Sequence, residues 1–226
     1  MPQLFFKVLF LGNLKLSMTK VISFISRKGG SGKTTNAINL ATTLQNRRKK
    51  VMLVETDTNY TLNSLRKLEL FKRKITSDNN FPIVGSEDNR VASEIQILRK
   101  RNELDYIIVD SAGKTTDQGI RELCLESDMV IITTSLTQND LLVAYQTVKD
   151  LLPAKDIKPD LKLYILPNRI HSHTRMRTVR EVLKHLNADL IDTYVPQRKL
   201  YTSPSTIKPE KRYRSVATQI IKHLNE

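Results

Sequence analysis

Residues 27–35 read Arg-Lys-Gly-Gly-Ser-Gly-Lys-Thr-Thr. Glycines at 29, 30 and 32 let consecutive backbone N–H groups turn inward around phosphate oxygens, and a helix starting just after them adds the partial positive charge of its N-terminus. Lys33 is placed to reach β and γ phosphates, and the Thr34 hydroxyl to ligate Mg²⁺. The segment therefore nominates Lys28, Gly29, Gly30, Ser31, Gly32, Lys33, Thr34 and Thr35 as a nucleotide phosphate site. In the general G-x-x-x-x-G-K-[ST] pattern the first glycine is here Arg27, and Lys28 supplies a second lysine. A lysine there either lies solvated in the loop or adds positive charge where a γ-phosphate and its transition state are negative.

Two acidic strand ends accompany the loop. The run Val51-Met52-Leu53-Val54 leads into Glu55-Thr56-Asp57, and Tyr106-Ile107-Ile108-Val109 leads into Asp110-Ser111-Ala112-Gly113. A hydrophobic strand ending in Asp is common on its own. Beside a phosphate loop it becomes a Mg²⁺ site, with Asp110 holding the metal through water, since Mg²⁺ keeps much of its hydration shell.

These groups need strands to carry them and helices to cover the strands. Apolar, β-branched runs predict strands at Val21 to Ile25, Val51 to Val54, Tyr106 to Val109, Val130 to Thr134 and Leu163 to Leu166, with weaker ones at Phe81 to Val84 and Leu190 to Val195. Helical spacing predicts helices over Thr34 to Arg47, Arg90 to Asn102, Thr116 to Glu126, Leu141 to Leu152, Arg175 to Asn187 and Tyr213 to Leu224. Alternating strand and helix means an α/β fold: one doubly wound domain, a mostly parallel sheet with helices on both faces, of the P-loop NTPase type. Ligands of such sheets sit outside the carboxyl ends of the strands.

The 226 residues are 39% apolar, enough for a sizeable core, so a disordered tail protein is excluded. With 37 Lys+Arg against 23 Asp+Glu the formal net charge is +14, which favours a polyanionic partner, nucleic acid or an acidic membrane surface. One cysteine, Cys124, excludes an intrachain disulfide framework and suits a reducing compartment; in an apolar helix it reads as a small buried hydrophobe. His171 and His173 have no nearby cysteine or third histidine and read as exposed loop residues. Residues 1–17 are an apolar extension with Phe5, Phe6, Phe10 and Leu14 but without a signal peptide's basic start or cleavage site. They read as a segment upstream of the true start at Met18, or else as a short membrane-touching helix. Residues 18–226 are expected to form one domain.

The K-G-G-x-G-K-T-T loop resembles the deviant phosphate loop of the ParA/MinD superfamily, and the likeness to small ParA-type, ParF-like partition ATPases runs over nearly all of 18–226. It includes K-V-I-S-F-I-S, N-A-I-N-L-A-T-T-L, V-D-S-A-G, V-I-I-T-T-S-L-T-Q-N-D and L-P-N-R-I. The resemblance implies that Lys28 crosses a dimer interface to the partner's nucleotide and that Asp57 orients the attacking water. It also implies that Asn168 lies beside the adenine and that Val195 to Arg198 closes the nucleotide pocket. In place of the family's D-x-D-P-Q stands E-T-D-T-N, with Thr58 and Asn59 where Pro and Gln are usual, a change to the local switch geometry. Nitrogenase-like electron carriers need two cysteines per subunit, and bacterial tyrosine kinases a tyrosine cluster in the tail; this chain has neither.

What the resemblance implies is a cytoplasmic, nucleoid-associated ATPase using ATP and Mg²⁺. Its ATP-bound homodimer would hold nonspecific DNA and be discharged by a small centromere-binding partner. Turnover without that partner should be slow, since nothing in the loop is a strong base. On the helix after His173, Arg177, Arg180 and Lys184 share a stripe with His173, while Met176, Val179, Val182, Leu183 and Leu186 face inward; Arg198 and Lys199 follow. These five basic residues are the DNA candidates, and their binding should be phosphate-dominated and salt-dependent. A competing reading is a MinD-like membrane-surface ATPase using the extension or the last helix. Another is a DNA-binding module that uses ATP structurally.

Overall fold

The computed structural model describes residues 18–57, 59–113 and 116–226. The apolar extension and Thr58 lie outside the described residues. The chain runs β1 Lys20–Phe24, α1 Lys33–Asn46, β2 Val51–Glu55, α2 Thr61–Lys72, β3 Ile83–Gly85, α3 Val91–Arg101, β4 Tyr106–Asp110 and α4 Asp117–Glu126. It continues through β5 Met129–Thr134, α5 Gln138–Ile157, β6 Lys162–Ile170, α6 Met176–Leu183, β7 Asp189–Leu190, β8 Val195–Pro196 and α7 Tyr213–Asn225.

The sheet order is β3-β2-β4-β1-β5-β6-β7, with β8 pairing the far end of β6, and each of these pairings is parallel. Alternation along each strand divides the core. From β1, Ile22 and Phe24 join the core under α1 and α7, whereas Val21 and Ile25 join the core under α3, α4, α5 and α6. β4 and β5 divide in the same way, Ile108 and Ile131 to one side and Ile107, Val109, Val130 and Ile132 to the other. The expected α/β architecture with helices on both faces is what the described residues form.

Some details differ from expectation. The region Leu190 to Val195 is two short strands, β7 and β8, because the chain leaves one edge of β6 and rejoins it higher up. α5 continues through Pro153 to Ile157, one turn past the expected end at Leu152. Val182 is 37% exposed and does not face inward, because α6 is short and ends at Leu183. α2 was not anticipated: it buries Leu62 and Arg66 and leaves Leu65, Leu68 and Phe71 outward, an inverted pattern that periodicity does not register. The apolar face of the last helix, Tyr213, Val216, Ala217, Ile220 and Leu224, is buried in the α1 core, so that helix offers no membrane-targeting face. No helix among the described residues is long and apolar enough to cross a membrane.

Candidate nucleotide site

Register brings the chemistry together. Phe24 at the end of β1 pairs with Asp110 at the end of β4, and Asp110 pairs with Glu55 at the end of β2, so the loop and the acids emerge side by side at the carboxyl edge. Within the loop Gly30 and Gly32 take positive φ, +73° and +101°, and Gly32 immediately precedes α1. A β-carbon on Gly32 would sit 2.1 Å from Asn168 Nδ2. That contact exists because Asn168, buried at the end of β6, donates its amide to the Ser31 carbonyl at 2.8 Å. Thr133 braces the same residue, donating to Ser31 Oγ at 3.2 Å.

Lys33 is 6% exposed and its ammonium donates to the Lys28 carbonyl at 3.2 Å. Burial pushes its pKa below the ordinary lysine value, while the charges of Asp110 and Asp57 oppose that. Asp110 is buried, and burial raises its carboxyl to about 7 against the lowering effects of a Thr34 hydrogen bond and Lys33. Its Oδ1 is buried without a hydrogen-bond partner. An orphaned carboxylate oxygen beside an exposed threonine hydroxyl at the head of a phosphate loop fits Mg²⁺, because the cation would favour the charged carboxylate and occupy the missing contact. Among the described residues no group of three or more His, Cys, Asp or Glu could hold a metal. A cation here would thus draw on Thr34, phosphate oxygens and water, with Asp110 behind the water.

Asp57 lies close enough for its charge to act on both Lys33 and Asp110. Its Oδ1 accepts from the backbone N–H of Asn59 at 3.1 Å and from Asn59 Nδ2 at 2.9 Å. The unusual Asn59 therefore holds the carboxylate in a tight turn. Glu55 has a different duty from an aspartate at that point: its longer arm reaches α2 and caps it. Oε1 accepts from Thr61 N and Oγ1 at 3.1 Å each, and Oε2 from Leu62 N at 3.1 Å. These bonds satisfy N–H groups that the helix start leaves unpaired.

Lys28 reaches the first turn of α5. Its ammonium bonds Asp140 at 2.5 Å, and Asp140 also accepts from Ser135. Burial pushes the Asp140 carboxyl up, but the Lys28 and Ser135 hydrogen bonds and the Lys28 and Arg169 charges hold it below the usual range. Arg27, next in line, is clamped by Asp117 and Asp150. None of these three ion pairs was visible in the sequence, since each joins residues about a hundred positions apart.

Beside Gly32 and Thr35 opens a cavity of 390 Å³ walled by Asn168, Pro196, Gln197, Arg198, Tyr201 and Thr202. The Val195 to Arg198 segment supplies one wall through β8. Tyr201 and Thr202, in the short turn that follows, were not foreseen; Thr35 Oγ1 donates to the Tyr201 carbonyl at 3.3 Å and ties that wall to α1.

The basic candidates are dispersed. Arg177 and Arg180 lie exposed on α6 and Lys184 just beyond it, but Arg180 pairs with Asp192 at 2.9 Å and Lys184 with Glu181 at 2.8 Å. The stripe is therefore partly neutralised and not of a single sign. Arg198 lines the cavity beside Gly32, apart from the α6 stripe, and Lys199 is exposed at the start of the turn after β8. Cys124 is buried with its thiol pushed up to about 12 by burial, and His171 and His173 are exposed with ring centroids 5.2 Å apart.

A protein-family model described as VirC1 protein matches residues 19–207. The septum site-determining protein MinD of Bacillus subtilis (strain 168) is 25% identical over 249 residues, covering 90% of this chain and 90% of that protein. A plasmid partition protein from Borrelia burgdorferi superposes with TM-score 0.62 at 22% identity, covering 91% of this chain and 99% of that one. Cobyrinic acid a,c-diamide synthase from Mycobacterium smegmatis, solved with bound ADP and magnesium, gives 0.70 at 18% identity, covering 92% and 96%. The two structural likenesses establish the fold. The family match refines the sequence reading, which had pointed to the ParF-like branch.

Proposed function

The chain belongs to the VirC1 protein family, within the ParA/MinD superfamily of deviant phosphate-loop ATPases, and from that premise we propose that it is a Mg²⁺-dependent ATPase whose ATP-bound dimer holds nonspecific DNA. Through a separate partner protein bound to the cargo, the dimer would position a plasmid or other DNA element. The observation that carries this reading is the phosphate loop joined to a base-sized cavity through Asn168.

Each residue has a role in it. Gly29 to Thr35 bind the phosphates, Thr34 and Asp110 hold Mg²⁺, and Lys33 neutralises the β and γ phosphates. Magnesium, when bound, offsets the charge that develops on the transferred phosphoryl group. Asn168 donates its Nδ2 to Ser31, and its Oδ1 is the atom that would accept from the base. An acceptor there suits the exocyclic amine of adenine and opposes the carbonyl that guanine presents at the same edge. Asp57 positions the attacking water, and Lys28 leaves Asp140 to reach the partner subunit's nucleotide. Arg177, Arg180, Lys184, Arg198 and Lys199 contact DNA phosphates, and of these only Arg180 and Lys184 have a carboxylate among the described residues to give up.

Binding to nonspecific duplex DNA with ATP, with ADP and without nucleotide, across a salt series, tests the proposal in the wild type and in Lys28→Ala and Arg177→Glu variants. ATP-dependent, salt-sensitive binding that both variants weaken is expected. Nucleotide-independent binding, or none, would overturn it.

A further inference from the structure

α2 is built inside out. Its buried residues are Leu62 and Arg66, while Leu65, Leu68 and Phe71 stand 47%, 48% and 81% exposed at three-residue spacing. The buried arginine anchors the helix through its two terminal nitrogens: it bonds Asp78 at 3.2 Å, the Phe81 carbonyl at 3.2 Å and the Thr206 carbonyl at 2.7 Å, and lies over the Phe81 ring. The fold thus attaches this helix by Leu62 and the contacts of Arg66 and does not use its outward leucines and phenylalanine for the core. Such residues on a monomer's surface mark a contact site when they are contiguous.

Leu65 and Leu68 border a groove. Between α2 and the segment 203–206 lies a cavity of 450 Å³ with Leu65 and Leu68 on one wall, Pro204 on the other and Lys72 and Arg73 at the rim. Its far wall is fixed, because Glu69 accepts from Ser205 Oγ at 2.5 Å, Thr206 N at 2.7 Å and Thr206 Oγ1 at 2.9 Å. Glu69 is the acid of this helix, and those bonds together with Arg73 consume it. Lys72 borders the apolar wall, and Lys67 and Lys74 are exposed on and just after the same helix.

We propose that the α2 groove docks an acidic amphipathic helix of a partner protein. The apolar wall takes leucine-type side chains at helical spacing, and the lysines meet the carboxylates that flank them. A second copy of this chain does not suit the groove, since Lys67, Lys72 and Lys74 would face their own kind. A DNA duplex does not suit it either, since its phosphates gain nothing from Leu65, Leu68 and Phe71. A bilayer covers convex surface, whereas Leu65 and Leu68 line a depression.

The test uses the full chain and a fluorescently labelled synthetic helical peptide with leucines at three- and four-residue spacing and glutamates between, and a second peptide with lysines in place of the glutamates. Fluorescence anisotropy should show saturable binding of the acidic peptide alone. Leu65→Ser with Leu68→Ser, or Lys72→Glu by itself, should weaken it roughly tenfold, with thermal melts near wild type because these side chains are exposed. No saturation, equal binding of the lysine peptide, or undiminished binding by the variants would overturn the proposal. So would flotation with phosphatidylglycerol vesicles that displaces the peptide and is lost in the same variants, which would make the surface a lipid contact.

Discussion

Replacing Asp140 by Asn removes the charge that holds Lys28 while leaving an acceptor for Ser135 and the Thr137 cap at the start of α5. Hydrogen bonds to charged groups contribute about 1.5–3 kcal/mol and exposed ion pairs about 0–1 kcal/mol. The Lys28 side chain is 41% exposed and that of Asp140 13%, so solvent screening places this pair near the lower range, about 1 kcal/mol. The variant should therefore melt roughly 2–4 °C lower than wild type. If Lys28 must leave Asp140 to engage the partner subunit's nucleotide, the same energy opposes dimerisation twice, once per protomer. Its removal, about 2 kcal/mol, should tighten ATP-dependent dimerisation roughly thirtyfold. Sedimentation equilibrium with a non-hydrolysable ATP analogue measures this, and in a Lys28→Ala background the gain should vanish. A lower melting temperature with unchanged or weaker dimerisation would refute the reasoning, since the pair would then be a stabilising contact and not a restraint.

Gly32→Ala should cost about 3 kcal/mol, the sum of an unfavourable positive φ and a displaced Asn168 that leaves the Ser31 carbonyl unpaired. A chemical denaturation midpoint shift worth less than 1 kcal/mol, about a third of that, would show that the contact relaxes at little cost. Asn168→Ala should weaken ATP roughly tenfold and abolish preference for ATP over GTP in competition titrations, whereas retained preference would place base recognition elsewhere. Burial pushes the Glu69 carboxyl up, but bonds from Ser205 and Thr206 and the Arg73 charge carry it below its ordinary 4.5. A depressed folded value means the contribution is whole above pH 4.5 and is lost as pH falls through the folded value. The melting difference between wild type and Glu69→Gln should be full at neutral pH and shrink below pH 4.5; a pH-independent difference would count against it.

What the sequence disclosed was local. The phosphate loop, the strand ends and the alternation of elements are written in consecutive residues, and parallel strands buried on both faces announce themselves as unbroken β-branched runs. Contacts across the fold were illegible. The ion pairs of Lys28 and Arg27 and the Tyr201 wall join residues 90 to 166 positions apart and depend on which elements become neighbours. α2 was missed because hydrophobic periodicity assumes that apolar residues face the core, and here a buried arginine reverses the rule. The α6 stripe looked uniformly basic because Asp192 reaches Arg180 from beyond the helix and Glu181 reaches Lys184 from within it.

The wall formed by Tyr201 meets Thr35 across 166 residues of chain. On the ribosome, at about 5–20 residues per second, roughly ten to thirty seconds separate the appearance of the phosphate loop from that of the residues completing its cavity. In that interval β1, β4 and β5 can assemble, but the β5 edge stays unpaired until β6 emerges, an open template for association with other nascent chains. Nucleotide cannot rescue such a chain, because a ligand stabilises only a state able to bind it. The interval in which the β5 edge is open thus precedes any protection by ATP.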